Sequence, residues 1–76
     1  MSAVRKHSVT IRGHRTSFSL EDAFFIELEA IAARLSVPLA ALIAEIDAAR
    51  PRSTNLSSAL RLYVLEWFTS RSAARE

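Results

Sequence analysis

Arg15, Ser17 and Ser19 recur at every second position of the stretch RTSFSLE, with Phe18 and Leu20 filling the positions between and after them. Successive side chains of a strand point to opposite faces, so this spacing collects three polar groups on one face and two apolar ones on the other. The chemistry such a row offers is recognition. An arginine can bond O6 and N7 of a guanine bidentately in a major groove, and serines are short, adaptable donors and acceptors. The plainer reading is an exposed edge strand kept soluble by its polar residues.

Other chemistries find little support. The chain has no cysteine and two histidines, His7 and His14, too few ligands for a metal site. His14 instead borders the strand. Glycine-rich phosphate loops and an HExxH pattern are absent from the sequence, and no serine beside a histidine has an identifiable acid partner. We therefore expect neither an enzyme nor a cofactor. Glu21, Asp22, Glu27 and Glu29 read as the first turn and solvated face of a helix. Tyr63, Trp67 and Phe68 sit among leucines at helical spacing, which favours packing over a stacking platform for single-stranded nucleic acid.

Charge is unevenly placed. The net value is +2, but residues 1–19 carry Arg5, Lys6, Arg12 and Arg15 without an acid, and the remainder is net negative. A basic, strand-forming end on a mildly acidic helical body suggests a polyanion partner for the first part and protein packing for the rest. The start MSAVRKHSVTIRG lacks the apolar core of a signal peptide, and the longest apolar run, 37–44, is too short to span a bilayer. A cytoplasmic, nucleoid-associated protein without membrane contact is expected.

Half of the 76 residues are apolar. A chain of this size buries only about 60% of its unfolded surface, so sharing a core with a second copy is the economical arrangement. A homodimer is expected.

The elements that would position the row follow from periodicity. Apolar residues fall at odd positions from Val9 to Ile11 and at even positions from Phe18 to Leu20, so the phase flips around Gly13, the only glycine. Residues 1–13 read as a basic arm with room for a short extended piece, and 14–20 as the strand. Phe24, Leu28, Ile31 and Leu35 form one stripe of a first helix over about 21–34, started by Ser19 with Asp22 or by Glu21. Ser36 is a candidate cap for a second helix carrying Leu39, Leu42, Ile43 and Ile46, with Pro38 in its first turn and Pro51 ending it near Arg50. Ser53, Thr54 or Asn55 can cap a third helix, roughly 55–71. It bears Leu56, Leu60, Val64, Trp67 and Phe68 on one side, and Leu62, Tyr63 and Leu65 spread apolar surface almost round it.

One strand followed by helices leaves its edge hydrogen bonds unmet within one chain. A second copy would supply the partner strand, making a two-stranded ribbon about the size that a major groove admits. At this point SVTIRGHRTSFSLE, ALIAEIDAAR and NLSSALRLYVLE together resemble a small bacterial subgroup of the ribbon-helix-helix repressors, with an added C-terminal helix. The resemblance implies a mainly α fold, one short N-terminal strand pairing antiparallel with a second chain, followed by three helices. It divides the chain into the arm 1–13, a ribbon-helix-helix core 14–50 and the added helix 51–76 in the same domain.

The resemblance further implies base contacts from Arg15, Ser17 and Ser19, and a phosphate clamp at the start of the second helix, where Ser36 and Leu39 are the candidates although Pro38 has no amide proton. Arg5, Lys6 and Arg12 either contact the DNA backbone or form a solvated tail. Phe18, Leu20, Phe24, Leu28, Leu42, Ile43, Ile46 and Trp67 are the expected dimer core. The expected function is sequence-specific binding of double-stranded DNA by a transcriptional repressor. The alternative is a protein-interaction module, antitoxin-like subunit or adaptor, docking another protein through residues 55–71.

Overall fold

The computed structural model describes residues 2–74. Two strands, β1 (Val4–Ile11) and β2 (His14–Glu21), precede three helices, α1 (Asp22–Leu35), α2 (Leu39–Ala49) and α3 (Leu56–Ala74). No helix among the described residues is long and apolar enough to cross a membrane.

The first strand corrects the expectation of an arm. β1 pairs antiparallel with β2 of the same chain, from Ile11 opposite His14 to Val4 opposite Glu21. The partner strand expected from a second copy is thus supplied from within. Its physical origin is the pair Arg12-Gly13, with φ of 49° and 79°. Positive φ at both central residues is the turn whose twist matches paired strands. A two-residue loop sets odd positions of one strand opposite even positions of the other, which is the phase flip seen in the sequence. Ile11, Phe18 and Leu20 consequently share one buried face, while Val9 is half-buried beside them.

The three helices lie close to their expected bounds. Their buried stripes, Leu28, Ile31 and Ala32 on α1, Leu42, Ile43 and Ile46 on α2, and Leu56, Leu60 and Val64 on α3, meet the hairpin's inner face in one core. Of the expected dimer-core residues, Phe18, Leu20, Leu28, Leu42, Ile43 and Ile46 are buried within this single chain, and Phe24 and Trp67 pack against its edge. Among the described residues, no buried polar or charged residue interrupts that core.

The caps depart from the local patterns. Glu21 is the N-cap of α1 and makes no side-chain cap bond; Ser19 stays in the strand. The free amides of α1 are met from far along the chain: Asp22 N–H donates to the Ala3 carbonyl at 2.9 Å, and Ala23 N–H to Ser2 Oγ at 2.7 Å. Ser36 does not cap α2. It ends α1 in the left-handed region at φ 57°, and Val37 N–H reaches back to the Ala32 carbonyl at 3.0 Å, closing the carbonyl end of the helix. Pro38 takes the N-cap place of α2. Asn55 caps α3 as expected, its Oδ1 accepting from Ser58 N–H at 2.8 Å.

Candidate nucleic-acid interface

The register fixes what the hairpin presents. Thr10 faces Arg15, Ser8 faces Ser17 and Lys6 faces Ser19, and all six are exposed. Alternation places them on the face opposite Phe18 and Leu20. The outer face therefore carries two parallel polar rows, one from each strand. Arg15, Ser17 and Ser19 stand together as the sequence spacing implies. Ser8 and Thr10, absent from the sequence-based set, join them, and the overlooked signal was the two-residue spacing between the alternating runs.

Charge on this face is positive. Lys6 and Arg15 lie on it and Arg12 stands at its tip, all exposed. The acids at the hairpin's base are already engaged. Asp22 accepts from Arg5 Nε at 2.9 Å, and Glu21 accepts from Arg61 Nε at 2.8 Å. The Arg61 hydrogen bond holds the Glu21 carboxyl below its ordinary range, outweighing the opposing effect of desolvation. Both pairs also tie the hairpin's base to the helices.

The five residues expected at a DNA backbone thus divide. Lys6 lies on the outer face and Arg12 at the turn, whereas Arg5 lies on the opposite face and spends its Nε on Asp22. Ser36 uses its amide within the α1 terminus and keeps an exposed side chain. At the start of α2 the Pro38 carbonyl accepts from Ala41 and Leu42 N–H. The amides of Leu39 and Ala40 have no acceptor among the described residues, leaving two donors at a helix N-terminus.

The remaining candidates lie apart. His7 is on the inner face, its ring stacked on Phe25 at 3.9 Å between centroids and 3° between planes; His14 is exposed beside the turn. Tyr63 and Trp67 are half-buried against the core, with Arg71 lying 4.8 Å over the Trp67 ring. Burial pushes the Tyr63 hydroxyl upward, helped by the charge of Glu45.

The family model of the ribbon-helix-helix domain matches residues 4–68. The chain belongs to the ribbon-helix-helix family. Ribbon-helix-helix domains are in general a DNA-binding, non-enzymatic family of transcription regulation. The match begins at the first residue of β1 and continues into α3. Both the first strand and most of the added helix therefore lie within the family pattern. No curated protein and no solved structure matches the chain.

Proposed function

We propose that this ribbon-helix-helix protein is a homodimeric transcriptional repressor that reads double-stranded DNA by laying the outer face of its hairpin in the major groove. The observation that carries the reading is the exposed face itself, where Arg15, Ser17 and Ser19 stand beside Lys6, Ser8 and Thr10 with no free acid among them. A two-stranded ribbon has the width that a major groove admits. In this reading Arg15, Ser17 and Ser19 contact base edges, Arg15 supplying the bidentate contact to a guanine. Lys6 and Arg12 approach phosphates, and the free amides of Leu39 and Ala40 can hold another. Arg5, already paired with Asp22, contributes less than its charge suggests. Repression follows from occupying an operator, and a twofold dimer favours sites with near-palindromic or regularly spaced halves.

The test is to capture randomly sheared genomic DNA on the protein at about 150 mM salt, where the sequence-independent phosphate attraction is weakened, and to sequence what remains bound. A double variant, Arg15→Ala with Ser17→Ala, serves as control. A recurring motif that the control does not enrich supports the reading. No enrichment, or the same enrichment in the control, rejects it and favours a protein-interaction module, for which exposed Leu62, Leu65 and Phe68 on α3 would be the docking surface.

A further inference from the structure

Between α2 and α3 lies an open groove of about 630 Å³, a volume within the range of small-molecule sites. Its lining runs over 42–49 on α2 and 59–66 on α3, at spacings that turn one stripe of each helix toward the groove. Leu42, Ile46 and Ala59 give it a buried apolar floor, and Leu62 an exposed apolar wall. Pro51 and Thr54, from the turn that joins the helices, bound one end. Seven residues of helix rise about 10 Å, the length of a small organic molecule, whereas a folded protein partner covers about 800 Å² on each side.

The available charge along this groove has one sign. Glu45 and Glu66 are exposed where they line it, and neither takes part in an ion pair among the described residues. Arg50 is the one base in the lining, and its guanidinium is already spent: Nε donates to Asp47 at 2.8 Å, and Nη1 to the Thr54 carbonyl at 2.6 Å. Tyr63 adds a hydroxyl that burial and the charge of Glu45 keep protonated. An apolar floor beside two unpaired carboxylates complements a molecule with an apolar body and a positive head. The same chemistry turns a second copy away from this groove. A twofold contact would set the acids of each copy against those of the other, with no free base to meet them.

We propose that the α2–α3 groove binds a small amphipathic cation, a protonated amine held by Glu45 and Glu66 with its apolar body laid on Leu42, Ile46 and Ala59. No strand residue lines the groove, so such a ligand leaves the outer face of the hairpin uncovered. The site is therefore independent of what that face binds.

The experiment uses the full chain without DNA and three probes, phenylbutylamine, phenylbutanol and phenylbutyrate. They share one apolar body and carry, near neutral pH, a positive, no and a negative charge. Backbone amide shifts followed by NMR during titration give both the place and the affinity of binding. The amine is expected to shift residues within 42–49 and 59–66 and to bind about fivefold or more tightly than the alcohol, as two exposed ion pairs would provide. The carboxylate should be the weakest of the three. Glu45→Gln combined with Glu66→Gln is expected to abolish the preference for the amine and to keep the binding of the alcohol. High salt should shrink the preference in wild type, which decides the matter even if the double variant fails to fold. Equal binding of amine and alcohol, a preference unchanged in the variant or at high salt, or shifts confined to other parts of the chain overturns the site. Silence at millimolar amine also overturns it. Sedimentation of that sample, and titration with a basic peptide, then show whether a second copy or a protein segment occupies the groove instead.

Discussion

Ser8 and Ser17 face each other across the hairpin with their hydroxyl oxygens 3.5 Å apart, one from each strand and both on the outer face. They form the middle of the surface proposed to enter DNA, and every other member is placed by the same register. That surface therefore depends on the turn that sets this register and on the helices that hold the hairpin's other face.

The turn is tested at Gly13. An added Cβ would meet nothing within 4 Å, while φ is +79°, so a substitution there reports backbone strain without a clash. Gly13→Ala is expected to destabilise the chain by about 1–2 kcal/mol, the usual cost of left-handed backbone for a residue with a side chain. Denaturant melts compared with wild type check this. No loss would mean that the turn is not as described.

The two rows should differ in what their removal does. Arg15→Ala is expected to weaken specific binding by about 1–3 kcal/mol and to relax the preference at one base step. Lys6→Ala is expected to weaken all sequences alike and to reduce the salt slope by about one unit. Anisotropy titrations over a range of salt concentrations, with an enriched duplex and a scrambled one, separate the two effects.

The core offers a contrast between two apolar side chains. Leu60 is fully buried and Ile26 is largely exposed. Leu60→Ala is expected to cost about 2–5 kcal/mol through lost burial and the cavity left behind, and Ile26→Ala to stay within about 0.5 kcal/mol. Thermal or chemical unfolding at one fixed chain concentration provides the comparison.

Acid should loosen the hairpin's base. The Arg61 bond lowers the Glu21 carboxyl from its ordinary value of 4.5, so the pair contributes stability above that value and loses it as pH falls through the lowered one. Glu21→Gln is expected to be less stable than wild type near neutrality and to lose less on acidification. Parallel melting curves in the two pH ranges would show the difference converging.

Much of this arrangement was legible in the sequence because it is local. The alternation of Phe18 and Leu20 gives β2, and the stripes through Leu28, Leu42 and Leu60 give the helices, since period and face are set by neighbouring residues. β1 was harder to read. Val9 and Ile11 are a short apolar signal, and Arg12-Gly13 reads equally as a break or as a two-residue loop until the strands are paired. The caps from Ser2 and Ala3 onto α1 join residues some twenty positions apart, and no local pattern announces them. Periodicity likewise puts Phe68 on the stripe of Leu60 and Val64 but does not say how far the covering surface extends; in the chain it is left exposed. At the site, Arg15, Ser17 and Ser19 share a face because strand alternation alone requires it. Ser8 and Thr10 join that face only through the turn.

The most direct test of the central claim is chemical protection of guanine N7, an atom that lies in the major groove. An enriched duplex is treated with dimethyl sulfate in the presence of wild type or Arg15→Ala, both at concentrations that saturate the duplex. Wild type is expected to shield one or more guanines of the motif, and the variant to leave at least one of them reactive. Full reactivity under saturating wild type, or protection identical in the variant, would contradict a hairpin lying in the major groove with Arg15 on a guanine.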